Sequence, residues 1–221
     1  MTRAGAGSGV WGVVSGGSYG LGMELNTGVQ GYYAESAERL GEVYESVSFE
    51  TVHGALLDLL PDTPARVLDV GAGTGRDAAA LAGRGFTVDA VEPVAELREV
   101  AERLHPGSGV RWRAGALPDL AGVQGPYDVV LLSAVWMHLP PEERPRAMCR
   151  LAGLLAPGGL LLITLRRGAP PADRRMFDIA PEEVAGQGAE AGLRPLRIVD
   201  EGADKLGRDA VRWNSVALQL G

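Results

Sequence analysis

The chain has 221 residues, with 21 Lys and Arg against 28 Asp and Glu, a formal net charge of −7 and one cysteine. A chain this long buries roughly 70% of its unfolded surface in one core without cross-links, and one cysteine excludes an intrachain disulfide or a cysteine-rich metal site. The acidic balance, with no Lys/Arg run beyond Arg166-Arg167 and Arg174-Arg175, argues against a nucleic-acid partner, which needs a basic groove to neutralise phosphates.

Residues 1–22 are rich in glycine and serine without periodicity and are expected to be disordered, with Met23 as an alternative start. Val10 to Val14 is too short for a signal-peptide core, and no apolar run approaches the ~20 residues of a membrane span, so a cytoplasmic protein with no membrane attachment is expected. Residues 23–221 read as a single domain. Two helices are predicted within about 32–60: Ala34 to Tyr44, and Phe49 to Leu60 with apolar Val52, Leu56, Leu59 and Leu60.

Val67 to Val70 has the β-branched, apolar character of a buried parallel strand. Gly71-Ala72-Gly73-Thr74-Gly75 then turns the backbone sharply with no side chain near a ligand, and Arg76 to Ala82 reads as a helix. The helix directs unpaired N-terminal amides at the turn, where a carboxylate or phosphate is favoured. Thr87 to Glu92 is a second strand, and a carboxylate at its tip can accept both hydroxyls of a ribose. A ribosylated cofactor is implied.

A dinucleotide fingerprint needs GxGxxG, and its third glycine falls here on Arg76, whose bulk opposes close helix-to-strand packing. The spacing is GxGxG. With Asp69 inside the first strand, it resembles motif I of the class I S-adenosylmethionine-dependent methyltransferases, and the resemblance runs from about Tyr32 to the end of the chain. Pro93 to Leu104 reads as a helix and Val110 to Arg113 as a third strand, which runs toward Gly115-Ala116-Leu117-Pro118, where the family places its adenine loop. Tyr127 to Ser133 is the fourth strand. A helix begins at Pro140-Pro141-Glu142-Glu143, carries Met148, Leu151, Leu154 and Leu155, and is stopped by Ala156-Pro157-Gly158-Gly159 before a fifth strand, Leu160 to Leu165. Pro181 to Gly192 is helical, and Leu196 to Val199 and Ala210 to Leu220 are the last strands. The fold class is α/β: a Rossmann-like, seven-stranded, mostly parallel sheet with helices on both faces, its last strand antiparallel as the resemblance implies.

The resemblance also implies S-adenosylmethionine as cofactor. Asp69, Gly71, Ala72, Gly73 and Gly75 form its turn, Glu92 and Pro93 its ribose contact, and Ala116, Leu117 and Ser133 further contacts. The third-strand loop offers Ala114, Gly115 and Ala116 where many members carry an acid for the adenine amino group, so adenine must rely on backbone and apolar contacts. Ser133-Ala134-Val135-Trp136 lacks the Asn/Asp-Pro-Pro-aromatic signature of nucleic-acid amino methylation and the acids of a metal-dependent catechol site. The expected acceptor is a small molecule, methylated at oxygen or nitrogen.

A sulfonium methyl is already activated, so its transfer chiefly needs a nucleophile held in line. A general base adds about 10²- to 10⁴-fold for a hydroxyl or ammonium acceptor. His138, beyond the fourth strand, is the leading candidate, and Tyr33 is the second; a helix-entry histidine bonded to backbone is the bland alternative for His138. Tyr32 and Trp136 are expected to wall the acceptor pocket. Arg166 and Arg208, with Lys205, are expected at its rim and suggest an anionic acceptor. His53 is read as partly exposed, His105 as exposed and Cys149 as a buried or partly buried thiol; no histidine spacing suits a metal. A non-catalytic cofactor-binding module, or a cyclase or decarboxylase using the same cofactor, is the alternative.

Overall fold

The computed structural model describes residues 19–221, with side chains from residue 28 onward. The parallel strands are β1 (Arg66–Val70), β2 (Thr87–Val91), β3 (Arg111–Arg113), β4 (Tyr127–Ser133) and β5 (Leu155–Arg167), followed by β6 (Leu193–Ala203) and β7 (Arg212–Leu220). They form one sheet in the order β3-β2-β1-β4-β5-β7-β6, and β7 runs antiparallel to both its neighbours. The helices are α1 (Tyr19–Glu45), α2 (Phe49–His53), α3 (Arg76–Gly83), α4 (Ala95–Leu104), α5 (Arg144–Ala152) and α6 (Pro181–Glu190).

Alternation along the central strands divides the core in two. Leu68, Val70, Val130, Leu132, Leu161 and Ile163 pack with Met148 and Leu151 of α5 and Val184 of α6. Their neighbours Val67, Val129, Leu131 and Leu162 pack with Ala78 and Leu81 of α3, Phe49 of α2 and Leu56. Both faces are therefore covered, as a parallel sheet requires. No described helix is long and apolar enough to cross a membrane.

Several boundaries differ from the sequence reading. Helix α1 is one 27-residue element that takes in Tyr19 onward, so the expected disordered segment 1–22 lies outside the described residues as far as residue 18. The helix predicted over Phe49 to Leu60 is broken: α2 gives way at Gly54 to a 3₁₀ stretch, Gly54–Leu59. Pro140 and Pro141 belong to a turn, and α5 starts at Arg144 with Pro145 in its first turn. Leu155 is not helical; it pairs with Tyr127, and Pro157-Gly158-Gly159 form an irregularity inside β5 instead of a helix stop. A Cβ on Gly159 would lie 2.8 Å from Ala156 O and 3.0 Å from Tyr127 O, so only glycine fits that kink. Cys149 is exposed, because the buried stripe of α5 runs through Arg144, Ala147, Met148, Leu151 and Ala152 and leaves position 149 outside it.

One buried polar cluster fixes β2 in the sheet. Asp89 accepts from Tyr127 Oη at 2.8 Å and from Arg111 Nε at 2.7 Å. Burial, then the Asp89 carboxylate, pushes the Tyr127 phenol up to about 12, so it remains a donor at working pH. Tyr127→Phe is expected to lower the unfolding free energy by about 1.5–3 kcal/mol, the usual scale for a hydrogen bond to a charged group, as measured by urea denaturation.

Candidate cofactor and acceptor site

A cavity of about 270 Å³ opens at the carboxyl ends of the parallel strands, where open α/β sheets bind ligands. Its floor includes Asp69, Glu92, Ser133 and Thr164; Val29, Tyr33 and Tyr44 of α1 cover one side, and Arg174 to Met176 and Asp204 to Arg208 close another.

The glycines of the turn after β1 serve different purposes. Gly73 sits at φ +56° and a Cβ there would meet nothing within 4 Å, so its bare face is turned to the cavity. Gly75 sits at φ +90°, and a Cβ would fall 2.7 Å from the Trp112 ring and 3.1 Å from Ala101 Cβ. It is a packing glycine beneath the turn and does not line the cavity, a correction to its expected ligand contact. Gly71 is crowded by Val135, whose Cγ2 would lie 2.5 Å from an added Cβ. Ala72 lines the cavity with Gly71 and Gly73.

Two acids face this turn. Glu92 is 4% exposed, and its Oε2 accepts from Gly73 N at 2.9 Å while Oε1 accepts from Val94 N at 3.0 Å. Burial raises its pKa, and the two backbone donors oppose the rise. Asp69 is 1% exposed, and among the described residues no donor meets hydrogen-bond geometry at either carboxylate oxygen, although the Ala78 backbone amide is close enough to ease its charge. Burial and then the neighbouring Asp77 push its carboxyl well above the usual carboxylate range. A buried acid without a partner is costly, and the cationic ammonium of a methionyl group would satisfy it. The orphaned carboxylate, the bare Gly73 face and the fixed Glu92 thus fit an adenosylmethionine.

His53 and His105 lie deeper than expected. His53 is buried, and its Nε2 stands 2.9 Å from Asp77 Oδ2. Burial alone would raise the Asp77 carboxyl, but His53 and Arg76 hold it well below its ordinary value. His105 is half-buried, 3.3 Å from Glu45 Oε1. Glu45 also accepts from Thr74 Oγ1 at 2.9 Å, tying the end of α1 to the glycine turn; nothing in the sequence links these distant positions. Ala116 and Leu117 line the cavity with Pro93 and Ser133.

Across the cavity, Tyr33 Oη lies 3.0 Å from His138 Nε2, and His138 Nδ1 lies 3.1 Å from Arg175 O. A carbonyl only accepts, so Nδ1 carries the proton, Nε2 is the acceptor, and Tyr33 donates to it. Burial lowers the His138 pKa to about 4 and raises that of Tyr33 well above its ordinary value. The pair is neutral over the physiological range.

The other acceptor-side expectations are partly displaced. Tyr32 does not line the cavity; adjacent helical residues are about 100° apart, so only Tyr33 faces inward. Trp136 is fully buried, because the 3₁₀ turn Trp136–His138 points it into the core, and it too is absent from the lining. Arg166, Lys205 and Arg208 do line the cavity. Arg208 is held by Asp204 at 2.6 Å and 2.9 Å, and Arg166 donates to Ala169 O at 3.1 Å. Arg174, on a stretch with no predicted element, was not legible as a lining residue. Among the described residues no group of His, Cys, Asp or Glu side chains is arranged to hold a metal.

Residues 44–188 match the methyltransferase domain family. The chain belongs to that family, the class I S-adenosylmethionine-dependent methyltransferases. An uncharacterized methyltransferase of Mycobacterium bovis is 35% identical over 103 residues, 47% of this chain and 40% of its own length. A ubiquinone biosynthesis O-methyltransferase of Xylella fastidiosa is 40% identical over 104 residues, 45% of this chain and 41% of its own. The matched segment therefore spans less than half the length of these curated relatives. In fold, the methyltransferase resembles a Burkholderia thailandensis 1,6-didemethyltoxoflavin-N1-methyltransferase crystallised with bound 1,6-didemethyltoxoflavin and S-adenosylhomocysteine: TM-score 0.70, 21% identity, 93% of this chain and 92% of that one.

In this methyltransferase, Gly75→Ala is expected to cost about 1–3 kcal/mol of stability by overpacking, read by urea denaturation. Gly73→Ala is expected to weaken S-adenosylhomocysteine binding at least tenfold by isothermal titration, because its methyl enters the cavity. His138 sets a pH dependence: its unfolded pKa is near 6.5 and its folded value about 4. Its contribution to stability is complete above about pH 6.5 and is lost as pH falls toward about 4, because the unfolded chain takes up the proton first. The difference in urea midpoint between wild type and His138→Gln is expected to change across that window and stay constant above it.

Proposed function

We propose that this protein transfers the methyl group of S-adenosylmethionine to an oxygen or nitrogen of a small-molecule acceptor. The observation that carries the reading is the Tyr33–His138 pair, 3.0 Å apart, facing the same cavity as the glycine turn and Glu92. On this reading residues 23–221 are one catalytic unit roofed by α1 and α2, and the protein works in the cytoplasm. A net charge of −7 supports a partner other than nucleic acid.

Glu92 would hold the ribose hydroxyls, Pro93, Ala116 and Leu117 the nucleoside faces, and Asp69 the methionyl ammonium, with Gly71, Ala72, Gly73 and Ser133 beside them. The cofactor supplies a methyl on a sulfonium, activated without a covalent enzyme intermediate. Catalysis by the chain is then chiefly positioning, which for well-oriented partners is worth about 7–11 kcal/mol. The acceptor hydroxyl or amine hydrogen-bonds to Tyr33 Oη. As its proton moves to that oxygen, the Tyr33 proton moves to His138 Nε2, and the resulting imidazolium is supported by the Arg175 carbonyl at Nδ1. Burial disfavours both the tyrosinate and the imidazolium, so Tyr33 gives up its proton only as it takes the acceptor's, and His138 releases the proton to water once the methyl is transferred. A second reading is a module that binds the cofactor without turnover; with Ala114, Gly115 and Ala116 where the family resemblance expects an acid for the adenine amino group, that binding would be modest.

The test combines isothermal titration with S-adenosylhomocysteine and mass spectrometry of products from labelled cofactor offered with small hydroxyl and amine acceptors. Glu92→Ala is expected to abolish S-adenosylhomocysteine binding. Tyr33→Phe and His138→Ala are expected to reduce kcat by about 10²- to 10⁴-fold while leaving that binding unchanged. Binding without labelled product from any acceptor supports the second reading, and no binding at all sinks both.

A further inference from the structure

The cations around the acceptor side of the cavity are not equivalent. Arg208 is paired through two contacts with Asp204, which also accepts from Trp213 Nε1 at 2.7 Å and from the backbone of Leu206 at 3.0 Å. Its charge is spent on shaping the turn. Arg166 turns its guanidinium toward the carbonyl of Ala169. Burial, then Arg208 and Arg174, lower its pKa, the mark of like charges crowded together.

Arg174 differs from both. Its guanidinium lies 4.4 Å from the centre of the Tyr32 ring and 5.8 Å from that of Tyr33. Stacking occupies the flat face of the group and leaves its edge for hydrogen bonds. Nη1 meets only Asp173 at 3.1 Å, a carboxylate half exposed to water, while the Arg174 side chain is 11% exposed. Nε is buried and has no hydrogen-bond partner among the described residues. An unsatisfied buried donor on a charged group is costly, and the edge that Nε shares with Nη2 is one that a planar carboxylate bridges with two parallel bonds. Nη2, which has no hydrogen-bond partner among the described residues and is not buried, is the donor of that edge that a ligand reaches first. The same residue lines the cavity beside Tyr33, and the lining of that cavity also includes apolar Val135, Leu139, Met176 and Leu206.

We propose that Arg174 is the specificity-determining cation of the acceptor pocket, binding the carboxylate of an acceptor with an apolar body through its Nε edge, next to the Tyr33–His138 pair. The proposal rests on the methyltransferase reading for the identity of the bound molecule as acceptor. It moves the expected anion contact from Arg166 and Arg208, both engaged by the protein itself, to a residue that is stacked, 11% exposed and incompletely bonded. The Tyr33 ring and the apolar walls fit an aromatic acid better than a short polar one.

The test uses the full chain saturated with S-adenosylhomocysteine, titrated with a panel of aromatic carboxylates and their primary amides, beginning with 4-hydroxybenzoate and 4-hydroxybenzamide, by ligand-observed NMR. At least one carboxylate is expected to bind tenfold or more tightly than its amide. Arg174→Gln is expected to bring that ratio close to one without changing the affinity for S-adenosylhomocysteine, and Arg174→Lys to restore part of it. The unchanged cofactor-product affinity shows that the Gln variant is folded; if it is not, Arg174→Lys alone decides, by a fall in the ratio against wild type. A panel with no carboxylate preferred over its amide, or a preference that survives both substitutions, overturns the proposal. A parallel isothermal titration of S-adenosylhomocysteine into the wild type separates this failure from failure of the cofactor to bind, which counts against the methyltransferase reading instead.

Discussion

The site depends on the joining of two strand tips. Parallel pairing sets Val70 beside Val91, so the turn after β1 and the acid after β2 emerge at one level. Gly71 N and Ala72 N both donate to Val91 O, at 2.7 Å and 3.1 Å, and Gly73 N donates to the Glu92 carboxylate at 2.9 Å. The turn is thereby strapped to the neighbouring strand before any ligand arrives. Its carboxylate points where it does because two backbone amides hold it there. Preorganised hydrogen-bonding groups of this kind avoid the entropic cost of ordering on binding.

Charge is segregated across the cavity in a way that the net value of −7 does not reveal. Near the glycine turn the cavity is lined by Asp69, Asp77 and Glu92 with one cation, Arg76, paired to Asp77; Arg166, Arg174, Lys205 and Arg208 line the acceptor side, with Arg208 paired to Asp204. The neutral Tyr33–His138 pair lies beside the cationic half, and Arg174 itself disfavours a charged imidazole there. The acids are not alike either: Asp77 is fully engaged by His53 and Arg76, while Asp69 has no hydrogen-bond partner among the described residues. One acid serves the fold, and the other has bonding capacity to spare.

The elements most local in origin were the most legible. The extent of β4, the start of α3 and the start of β2 follow from short apolar runs bounded by turn residues, and the structure places them where the sequence does. Misreadings occurred where neighbours in space overrode local signals. Pro157-Gly158-Gly159 looks like a helix stop, yet it is accommodated inside β5 opposite Tyr127, a partner about thirty residues away. Trp136 looks like a pocket wall because it follows a strand, but a short 3₁₀ turn sends it into the core and brings His138 round to the cavity.

By itself the sequence determined the architecture, the glycine turn with its following acid, and the candidacy of His138 and Tyr33, because these rest on periodicity, backbone freedom and order along the chain. Only the tertiary structure decided that Tyr33 and His138 meet, that Gly75 is a packing residue, that Asp69 lacks a hydrogen-bond partner among the described residues, and that Arg174 rather than Arg208 has a buried donor unspent. Those facts concern pairs of groups up to 105 residues apart, as with Tyr33 and His138. Which donor finds which acceptor is settled by the packing of helices and loops over the sheet, and a single chain carries no local signal of it.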